Sequence, residues 1–237
     1  MIKSRLLKVT GLNKSEVAKK IEDVLKVKNN NLDIELLTND TEVKVKITAG
    51  DRDKKRLDGM IEILESKIRE RLGDYIFGVD EEALEKVVGV LLLMRKKTLA
   101  VAESCTGGLI SHRLTNIPGS SGYFQGSVVA YSEGAKTKIL HVPVETIKQF
   151  GAVSRETVQA MAKGIKETSG ADLGLAVTGI AGPGGGERKP VGLVYIAVAA
   201  DNAIFAEEHH FSGNREVIKL KASQMALDMV RRYLLKE

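Results

Sequence analysis

The sequence of 237 residues has few of the residues that build disulfides, aromatic platforms or membrane spans. Its one cysteine is Cys105, so no disulfide can form within the chain and a reducing compartment is expected. Tryptophan is absent and aromatic residues make up 4%, which leaves little for stacking on single-stranded nucleic acid. The longest apolar run, Val87 to Met94, has about eight residues against the roughly 20 that a spanning helix needs. Residues 1–5 lack the features of a signal peptide, so the sequence predicts a soluble cytoplasmic protein without a membrane segment.

The net charge of the chain and the spacing of its histidines limit which ligands we expect it to bind. Lysine plus arginine exceed aspartate plus glutamate by 36 to 31, which gives a net charge of +5 and an isoelectric point near 9.1. This excess favours an anionic ligand but is too small to indicate nucleic acid, which is not expected as a partner. The four histidines lack the spacings of zinc ligands, and Cys105 has no partner cysteine. We therefore expect neither a bound metal nor a cofactor.

Composition divides the chain near residue 80. Residues 1–75 are rich in charge and poor in glycine, whereas most glycines follow Gly107. This shift predicts two domains, residues 1–78 and 79–237. Apolar periodicity in the first domain predicts a small α+β module of order β-α-β-β-α, over residues 6–9, 13–26, 32–36, 43–47 and 57–72.

The second domain is predicted to be α/β. Its apolar runs at 173–178 and 191–199 have the composition of strands that are covered on both faces. The predicted strands are residues 99–102, 127–131, 173–178 and 191–199, and the predicted helices are residues 82–96, 105–114, 154–169 and 215–235. Strands that alternate with helices predict a three-layer α/β/α fold, which we expect to contain a mixed sheet.

The first segment that could carry chemistry surrounds Ser104. This serine falls between a predicted strand and a predicted helix, so its hydroxyl is expected to project from the carboxyl edge of the sheet. Thr106, Gly107 and Gly108 would offer free backbone N–H groups at the helix start, which can hold a phosphate or an oxyanion. The alternative is that Ser104 or Thr106 only caps the helix, since serine and threonine are favoured caps. Cys105 is a rival nucleophile, although a lone cysteine at a buried helix start is more typical of a core residue.

A second segment joins a tyrosine to a lysine. Tyr131 ends a predicted strand, and Lys136 follows five residues later. A lysine that is desolvated beside a serine can lose its proton and act as a general base, and a tyrosine hydroxyl there could relay a proton or hold a carbonyl oxygen. The alternative is an ordinary exposed lysine beside a tyrosine at a strand edge.

A third segment is the glycine-rich loop after the strand predicted at 173–178. Gly182, Gly184 and Gly185 follow the carboxyl end of a buried strand, where ligand sites form in α/β folds. The loop matches neither the dinucleotide fingerprint nor the P-loop pattern, so it predicts no dinucleotide or nucleoside triphosphate site. A flexible surface loop is the alternative.

In this order the three segments resemble the C-terminal domain of the CinA family, the nicotinamide mononucleotide deamidases. The matching stretches are AESCTGG at 102–108, PGSS at 118–121, VAYS at 129–132, GAVS at 151–154, TGIAGP at 178–183 and KPVG at 189–192. The resemblance covers about residues 82–235, and these stretches are far more specific together than any single motif. Residues 1–75 are similar to the small KH-type module that precedes this domain in the family, but they lack its G-x-x-G loop, which weakens an RNA role.

The resemblance implies roles for particular residues. Ser104 corresponds to the family's nucleophile, with Tyr131 and Lys136 beside it. Arg215 corresponds to an arginine of the nucleotide-phosphate site, and the glycine-rich loop is similar to the family's substrate-side loop. A small-molecule substrate, nicotinamide mononucleotide, is therefore expected, as is a homo-oligomer with a dimer favoured.

The implied reaction converts nicotinamide mononucleotide to nicotinate mononucleotide and ammonia. The cationic pyridinium ring withdraws electrons from the amide carbon that Ser104 would attack, and the sequence leaves open whether Lys136 or Tyr131 is the base. Two alternatives also stay open: a non-catalytic nucleotide- or nucleic-acid-binding regulatory protein, and an amidase for another small anionic amide. The charge of +5 and the KH-like module favour the first, whereas the three catalytic candidates favour an enzyme.

Overall fold

Two compact units make up the chain. The computed structural model describes residues 1–27, 31–184, 189–201 and 203–237, and its units are Met1–Leu84 and Glu85–Glu237. The domain boundary after residue 78 stays a prediction. Within the described ranges, every helix is too short or too polar to cross a lipid bilayer.

The first unit is an antiparallel sheet with helices packed on one face. Its elements are β1 (Ile2–Val9), α1 (Lys14–Lys20), α2 (Glu22–Leu25), β2 (Leu32–Thr38), β3 (Val43–Gly50), α3 (Lys54–Leu72) and β4 (Ile76–Val79), and its strand order is β2-β3-β1-β4. In β3 the side chains are alternately buried and half-buried, so Val43, Val45 and Ile47 face the core that α1 and α3 complete. The predicted small α+β module is confirmed.

The first unit differs from the prediction in two details. The helix predicted over 13–26 is two helices, because the buried Ile21 leaves helical dihedrals with φ −113° and ψ 26°. Asn13 forms a capping box with Glu16 at the start of α1. The four-residue strand β4, which pairs with β1, was too short to give a periodic signal.

The second unit is a three-layer α/β/α structure around a mixed sheet, which confirms the predicted fold class. Its elements are α4 (Leu84–Met94), β5 (Leu99–Glu103), α5 (Leu109–Thr115), β6 (Phe124–Val129), α6 (Glu133–Leu140), α7 (Val144–Phe150), α8 (Arg155–Ser169), β7 (Leu173–Gly179), β8 (Leu193–Ala199), β9 (Ile204–His210) and α9 (Arg215–Lys236). The strand order is β6-β5-β7-β8-β9, with β5 parallel to both β6 and β7 and the remaining pairs antiparallel. Helix α8 packs across one face of the sheet, and α9 packs against β7 and β8.

The α8 face is packed so closely that two positions require glycine. A Cβ on Gly174 of β7 would lie 2.1 Å from the carbonyl oxygen of Ala162 in α8. A Cβ on Gly164 of α8 would lie 1.9 Å from the carbonyl oxygen of Leu140, the last residue of α6. Neither contact leaves room for a side chain. The close contact of Gly164 with Leu140 packs α6, the helix that carries Lys136, against α8.

Several elements around the predicted site differ from expectation. The helix predicted from residue 105 begins at Leu109, because Gly107 and Gly108 adopt φ of +62° and +93°, which a right-handed helix cannot contain. Strand β6 ends at Val129, before Tyr131. Helices α6 and α7 and strand β9 were not predicted. Strand β9 lies at the edge of the sheet, and its polar sequence shows no clear alternation of apolar residues.

Candidate active site

Three neighbouring parallel strands bring together the three segments that contain the candidate catalytic and binding residues. Ser104 directly follows β5, Ala130 follows β6 and Thr178 lies near the end of β7. Backbone hydrogen bonds continue past the strands: the Ser104 N–H donates to the Val177 carbonyl at 3.0 Å, and the Ala130 N–H donates to the Glu103 carbonyl at 2.8 Å. Because carboxyl ends of adjacent parallel strands share one sheet edge, segments far apart in sequence meet there.

A cavity of about 260 Å³ opens at this edge. It is lined by Ser104, Cys105, Tyr131, Lys136, Ala152, Val153, Thr178, Gly179, Ile180, Ala181, Gly182, Gly184 and Arg215. Among the described residues, no aspartate or glutamate lines it, and its ionisable nitrogen groups are those of Lys136 and Arg215. The cavity is therefore suited to an anionic ligand.

Lys136 contacts Ser104 inside the protein. Its Nζ lies 3.1 Å from Ser104 Oγ and donates to the carbonyl oxygens of Ala130 at 2.8 Å and Tyr131 at 3.4 Å. The residue is only 1% exposed, and no described carboxylate lies within ion-pair distance of it. Burial lowers the pKa of Lys136, because desolvation disfavours the charged form. The alternative of an ordinary exposed lysine is wrong.

Cys105 lines the same cavity but is a poor nucleophile. It is 5% exposed, and burial raises the pKa of its thiol to about 12. The thiol is therefore protonated at neutral pH, whereas the thiolate is the reactive form of cysteine. Of these two adjacent residues, Ser104 is therefore the better candidate for the nucleophile.

The carboxylate of Glu103 organises the turn that presents Ser104. The residue is fully buried, and it accepts hydrogen bonds from the N–H groups of Gly108 at 2.9 Å, Ile110 at 3.1 Å and Ser111 at 2.9 Å. The Ser111 hydroxyl donates to it at 2.6 Å. Glu103 thus satisfies N–H groups at the start of α5 that would otherwise be buried without a partner. This role of Glu103 was not predicted; the available signal was a glutamate at the end of an apolar strand.

The N–H groups expected to be free at Gly107 and Gly108 are occupied, so that expectation is wrong. The Gly107 N–H donates to the Ser104 carbonyl at 3.1 Å, and the Gly108 N–H donates to Glu103. Thr106, Gly107 and Gly108 do not line the cavity. The alternative in which Ser104 or Thr106 caps the helix is also wrong, because Gly108 is the N-cap of α5 and the Glu103 carboxylate accepts the N–H groups there. The buried Thr106 Oγ1 has no hydrogen-bond partner within the described part of the chain.

Arg215 joins the glycine-rich loop to Tyr131 at the cavity. It is the first residue of α9, and its guanidinium donates to the Gly182 carbonyl and, at 3.0 Å, to the Tyr131 hydroxyl. Tyr131 is 61% exposed, and only its backbone carbonyl contacts Lys136. Gly184 lines the cavity, and Gly185 lies outside the described residues.

The cavity wall includes residues to which the sequence analysis gave no role. Thr178 is buried and donates from its hydroxyl to the Ala152 carbonyl at 2.9 Å, which ties the end of β7 to the 151–154 segment. The Lys189 ammonium donates to the carbonyl oxygens of Phe150 and Val153 and holds the same segment. Both segments belong to the matching stretches. Across the described ranges, no cluster of three or more histidine, cysteine, aspartate or glutamate side chains could hold a metal.

The chain matches two family models along its length. Residues 81–234 match the CinA C-terminal domain, and residues 4–78 match the KH domain of the damage-inducible protein CinA. A putative competence-damage inducible protein of Moorella thermoacetica is 46% identical over 235 residues, which is 99% of this chain and 56% of that protein. A CinA-like protein of Dictyoglomus turgidum is 44% identical over 236 residues, again 99% of this chain and 57% of that protein. The chain thus spans about half the length of the curated relatives it matches.

Solved structures of the family match about two thirds of the chain. The competence/damage inducible protein CihA from Agrobacterium tumefaciens is 41% identical with a TM-score of 0.62, over 64% of this chain and 93% of that one. The CinA superfamily protein KP700603 from Klebsiella pneumoniae is 31% identical with a TM-score of 0.63, over 66% of this chain and all of that one. On the family models and these likenesses, the chain belongs to the CinA family.

Proposed function

We propose that this chain hydrolyses the carboxamide of nicotinamide mononucleotide, yielding nicotinate mononucleotide and ammonia. The observation that carries the proposal is the buried contact of 3.1 Å between Lys136 Nζ and Ser104 Oγ in a cavity without a described carboxylate. A serine and an uncharged lysine are a known arrangement for acyl transfer. Membership of the CinA family is consistent with this activity.

The hydrogen bonds of Lys136 suit a neutral amine. A neutral amine has two N–H donors and one lone pair, and the carbonyl oxygens of Ala130 and Tyr131 provide two acceptors. The lone pair can then accept the proton of the Ser104 hydroxyl, 3.1 Å away. Tyr131 presents its hydroxyl to Arg215 instead, so the geometry favours Lys136 as the base.

The first half of the reaction makes an ester on Ser104. Lys136 takes the hydroxyl proton as Oγ bonds to the amide carbon, and the carbonyl oxygen becomes an oxyanion. Among described residues the N–H of Cys105, next to the nucleophile, donates to no backbone carbonyl, so it can stabilise this oxyanion. Protonated Lys136 then delivers its proton to the amide nitrogen, the C–N bond breaks, and ammonia leaves.

The second half releases the acid. Water adds to the ester carbon while neutral Lys136 accepts one of its protons. The ester C–O bond breaks and Ser104 Oγ recovers that proton. The product is released as the carboxylic acid, which loses its proton to solvent to give nicotinate mononucleotide. Both halves use the same base, and no redox cofactor or additional co-reactant besides water is needed.

The regulatory alternative receives little support from the charge distribution. Residues 1–84 carry 17 lysines and arginines and 17 aspartates and glutamates, so the excess of five positive charges belongs wholly to residues 85–237. Nucleic-acid binding draws on lysines and arginines that neutralise phosphates, and the first unit has no excess of them over its acidic residues. The positive charge instead accompanies the unit that holds the cavity.

A substrate panel tests the proposed function. We expect the purified protein to release ammonia from nicotinamide mononucleotide and to form nicotinate mononucleotide in equal amount, measured by an ammonia assay and by chromatography. Nicotinamide, nicotinamide riboside and succinamate are the comparisons. Turnover of succinamate alone would indicate an amidase for another anionic amide. Binding of RNA with no hydrolysis of any amide would favour the regulatory protein.

Removing residues 1–78 is expected to leave the amidase activity within about threefold of the full chain. All residues of the proposed site follow Leu99, and the first unit has its own apolar core. The measurement is kcat and KM for nicotinamide mononucleotide on both proteins, with far-ultraviolet circular dichroism to establish folding. A folded but inactive truncation would contradict the prediction and show that the first unit completes the site.

A further inference from the structure

Thr178 is a buried residue of the cavity wall that the reaction scheme does not use. Ala102 of β5 and Ala176 of β7 are paired in parallel register, and both face the core under α8. Side chains two residues farther along a strand point to the same face, and the residues at those positions are Ser104 and Thr178. Both line the cavity, so Thr178 is a neighbour of the nucleophile.

The Thr178 hydroxyl has spare capacity as a hydrogen-bond acceptor. Its hydrogen is donated to the Ala152 carbonyl at 2.9 Å, because a carbonyl oxygen can only accept. A hydroxyl oxygen can also accept two hydrogen bonds, and no described residue donates to this one. Thr178 is 1% exposed, and buried polar groups usually have their partners. The cavity therefore contains an acceptor that a ligand with an N–H group can satisfy.

The leaving nitrogen of the proposed reaction needs an acceptor of this kind. As Ser104 Oγ adds to the amide carbon, the nitrogen lone pair is no longer shared with the carbonyl group and must receive the proton from Lys136. An acceptor on one of the two N–H groups fixes the rotation of the nitrogen and can direct its lone pair to Lys136. Arg215 has only donors, and Lys136 needs its own lone pair for the serine proton. Thr178 can accept this hydrogen bond.

We propose that Thr178 accepts a hydrogen bond from the carboxamide N–H of the substrate and so selects amides over the matching carboxylate and ester. This inference rests on the proposed function, in which the carboxamide lies at Ser104. The carboxylate of the product has no N–H and brings a negative oxygen against the lone pairs of Thr178, which disfavours its binding after hydrolysis. The leaving oxygen of an ester also has no hydrogen to donate.

The ratio of amide to ester hydrolysis tests the assignment. Nicotinate mononucleotide methyl ester has the same ring, sugar and phosphate and forms the same ester on Ser104, with methanol as the leaving group. Thr178→Val removes the hydroxyl with little change of shape, and it should lower kcat/KM for nicotinamide mononucleotide relative to the methyl ester by roughly 10- to 100-fold. Thr178→Ser keeps the hydroxyl and should keep most of the ratio. Thr178→Ala provides the same comparison if the valine variant does not fold.

Thr157→Val is the matched control for the structural role of a threonine hydroxyl. Thr157 is also buried, and it donates to the Gly151 carbonyl at 2.8 Å in the same 151–154 segment, but it is not among the described residues that line the cavity. Loss of this hydrogen bond should affect both substrates equally and leave the amide-to-ester ratio unchanged. An unchanged ratio in Thr178→Val, or an equal fall in Thr157→Val, would overturn the assignment.

A binding measurement separates this inference from the proposed function. Ser104→Ala cannot form the ester, so the Kd of each nucleotide can be measured by calorimetry without turnover. Adding Thr178→Val to it should weaken binding of nicotinamide mononucleotide by roughly tenfold and should not weaken binding of nicotinate mononucleotide. Equal weakening of both nucleotides, or of neither, would refute the hydrogen bond to the amide. Absence of ammonia release by the wild type would instead count against the proposed function.

Discussion

Ser104→Ala is expected to abolish ammonia release from nicotinamide mononucleotide, with a loss of at least about 10³-fold in kcat. Ser104 Oγ is the side-chain oxygen bonded to Lys136 among the described residues, and removing it leaves the base without a nucleophile to activate. The loss should appear in kcat measured at saturating substrate by ammonia release and confirmed by chromatography of the nucleotide product.

Two comparisons make the Ser104 result specific. The melting temperature of Ser104→Ala should fall by no more than about 2–4 °C, the effect of losing one hydrogen bond of about 1 kcal/mol in a chain of this size. Cys105→Ala should keep most of the activity, because a thiol with a pKa of about 12 is protonated at neutral pH. Activity of Ser104→Ala within tenfold of wild type would exclude Ser104 as the nucleophile and direct the search to Cys105.

Lys136→Met is expected to lower kcat by about 10²- to 10⁴-fold, the usual contribution of a general base. Methionine fills similar space in the buried position but offers no basic nitrogen to the Ser104 hydroxyl. Lys136→Arg should be almost inactive as well, since arginine keeps its proton at working pH. Lys138→Met, an exposed lysine on the same helix, is the matched control and should retain activity.

The dependence of the hydrolysis rate on pH tests whether Lys136 acts as a neutral base. Burial lowers the pKa of Lys136, and the group is useful as a base only when neutral. The rate should therefore rise with pH as Lys136 loses its proton and level off above that pKa. Lys136→Met should lose this rise in its residual activity. A small amine such as ethylamine should partly rescue Lys136→Ala, with the rescue increasing as the amine is deprotonated.

An increase in KM with little change in kcat would assign Lys136 a role in substrate binding in place of general-base catalysis. If Lys136→Arg kept near-normal kcat while KM for the nucleotide increased, the lysine would be holding an anionic group of the substrate. The base would then have to be Tyr131, whose hydroxyl would need to leave Arg215 to reach the serine.

Local patterns were sufficient for the main elements of the fold. Apolar runs predicted β5, β7 and β8 to within a few residues, and the helix predicted over 154–169 is α8, for which Ser154 is the N-cap. The matching stretches identified the family because residues in fixed order are preserved in linear sequence. Elements with weak or short signals, namely α6, α7, β4 and β9, were missed. The predicted dimer is untested by a single chain.

The local environment of the catalytic turn could not be read from the sequence. Ser104, Gly107 and Gly108 predicted a helix start with free N–H donors, and serine is a common cap. The positive φ of the two glycines delays the helix, and the buried Glu103 carboxylate takes the donors. The difference arises because a glutamate that ends a strand can be exposed or buried, and only packing decides between the two.

By itself, the sequence determined the α/β class and the set of residues able to do chemistry: a serine, a tyrosine with a nearby lysine, and an arginine, in three separate segments. The tertiary structure alone decided which of them meet. Parallel pairing of β5 with β6 and β7 places their carboxyl ends at one edge, and the packing of α6 on α8 turns Lys136 inward to Ser104. Burial then lowers the pKa of that lysine, an effect of the surrounding protein that no linear pattern encodes.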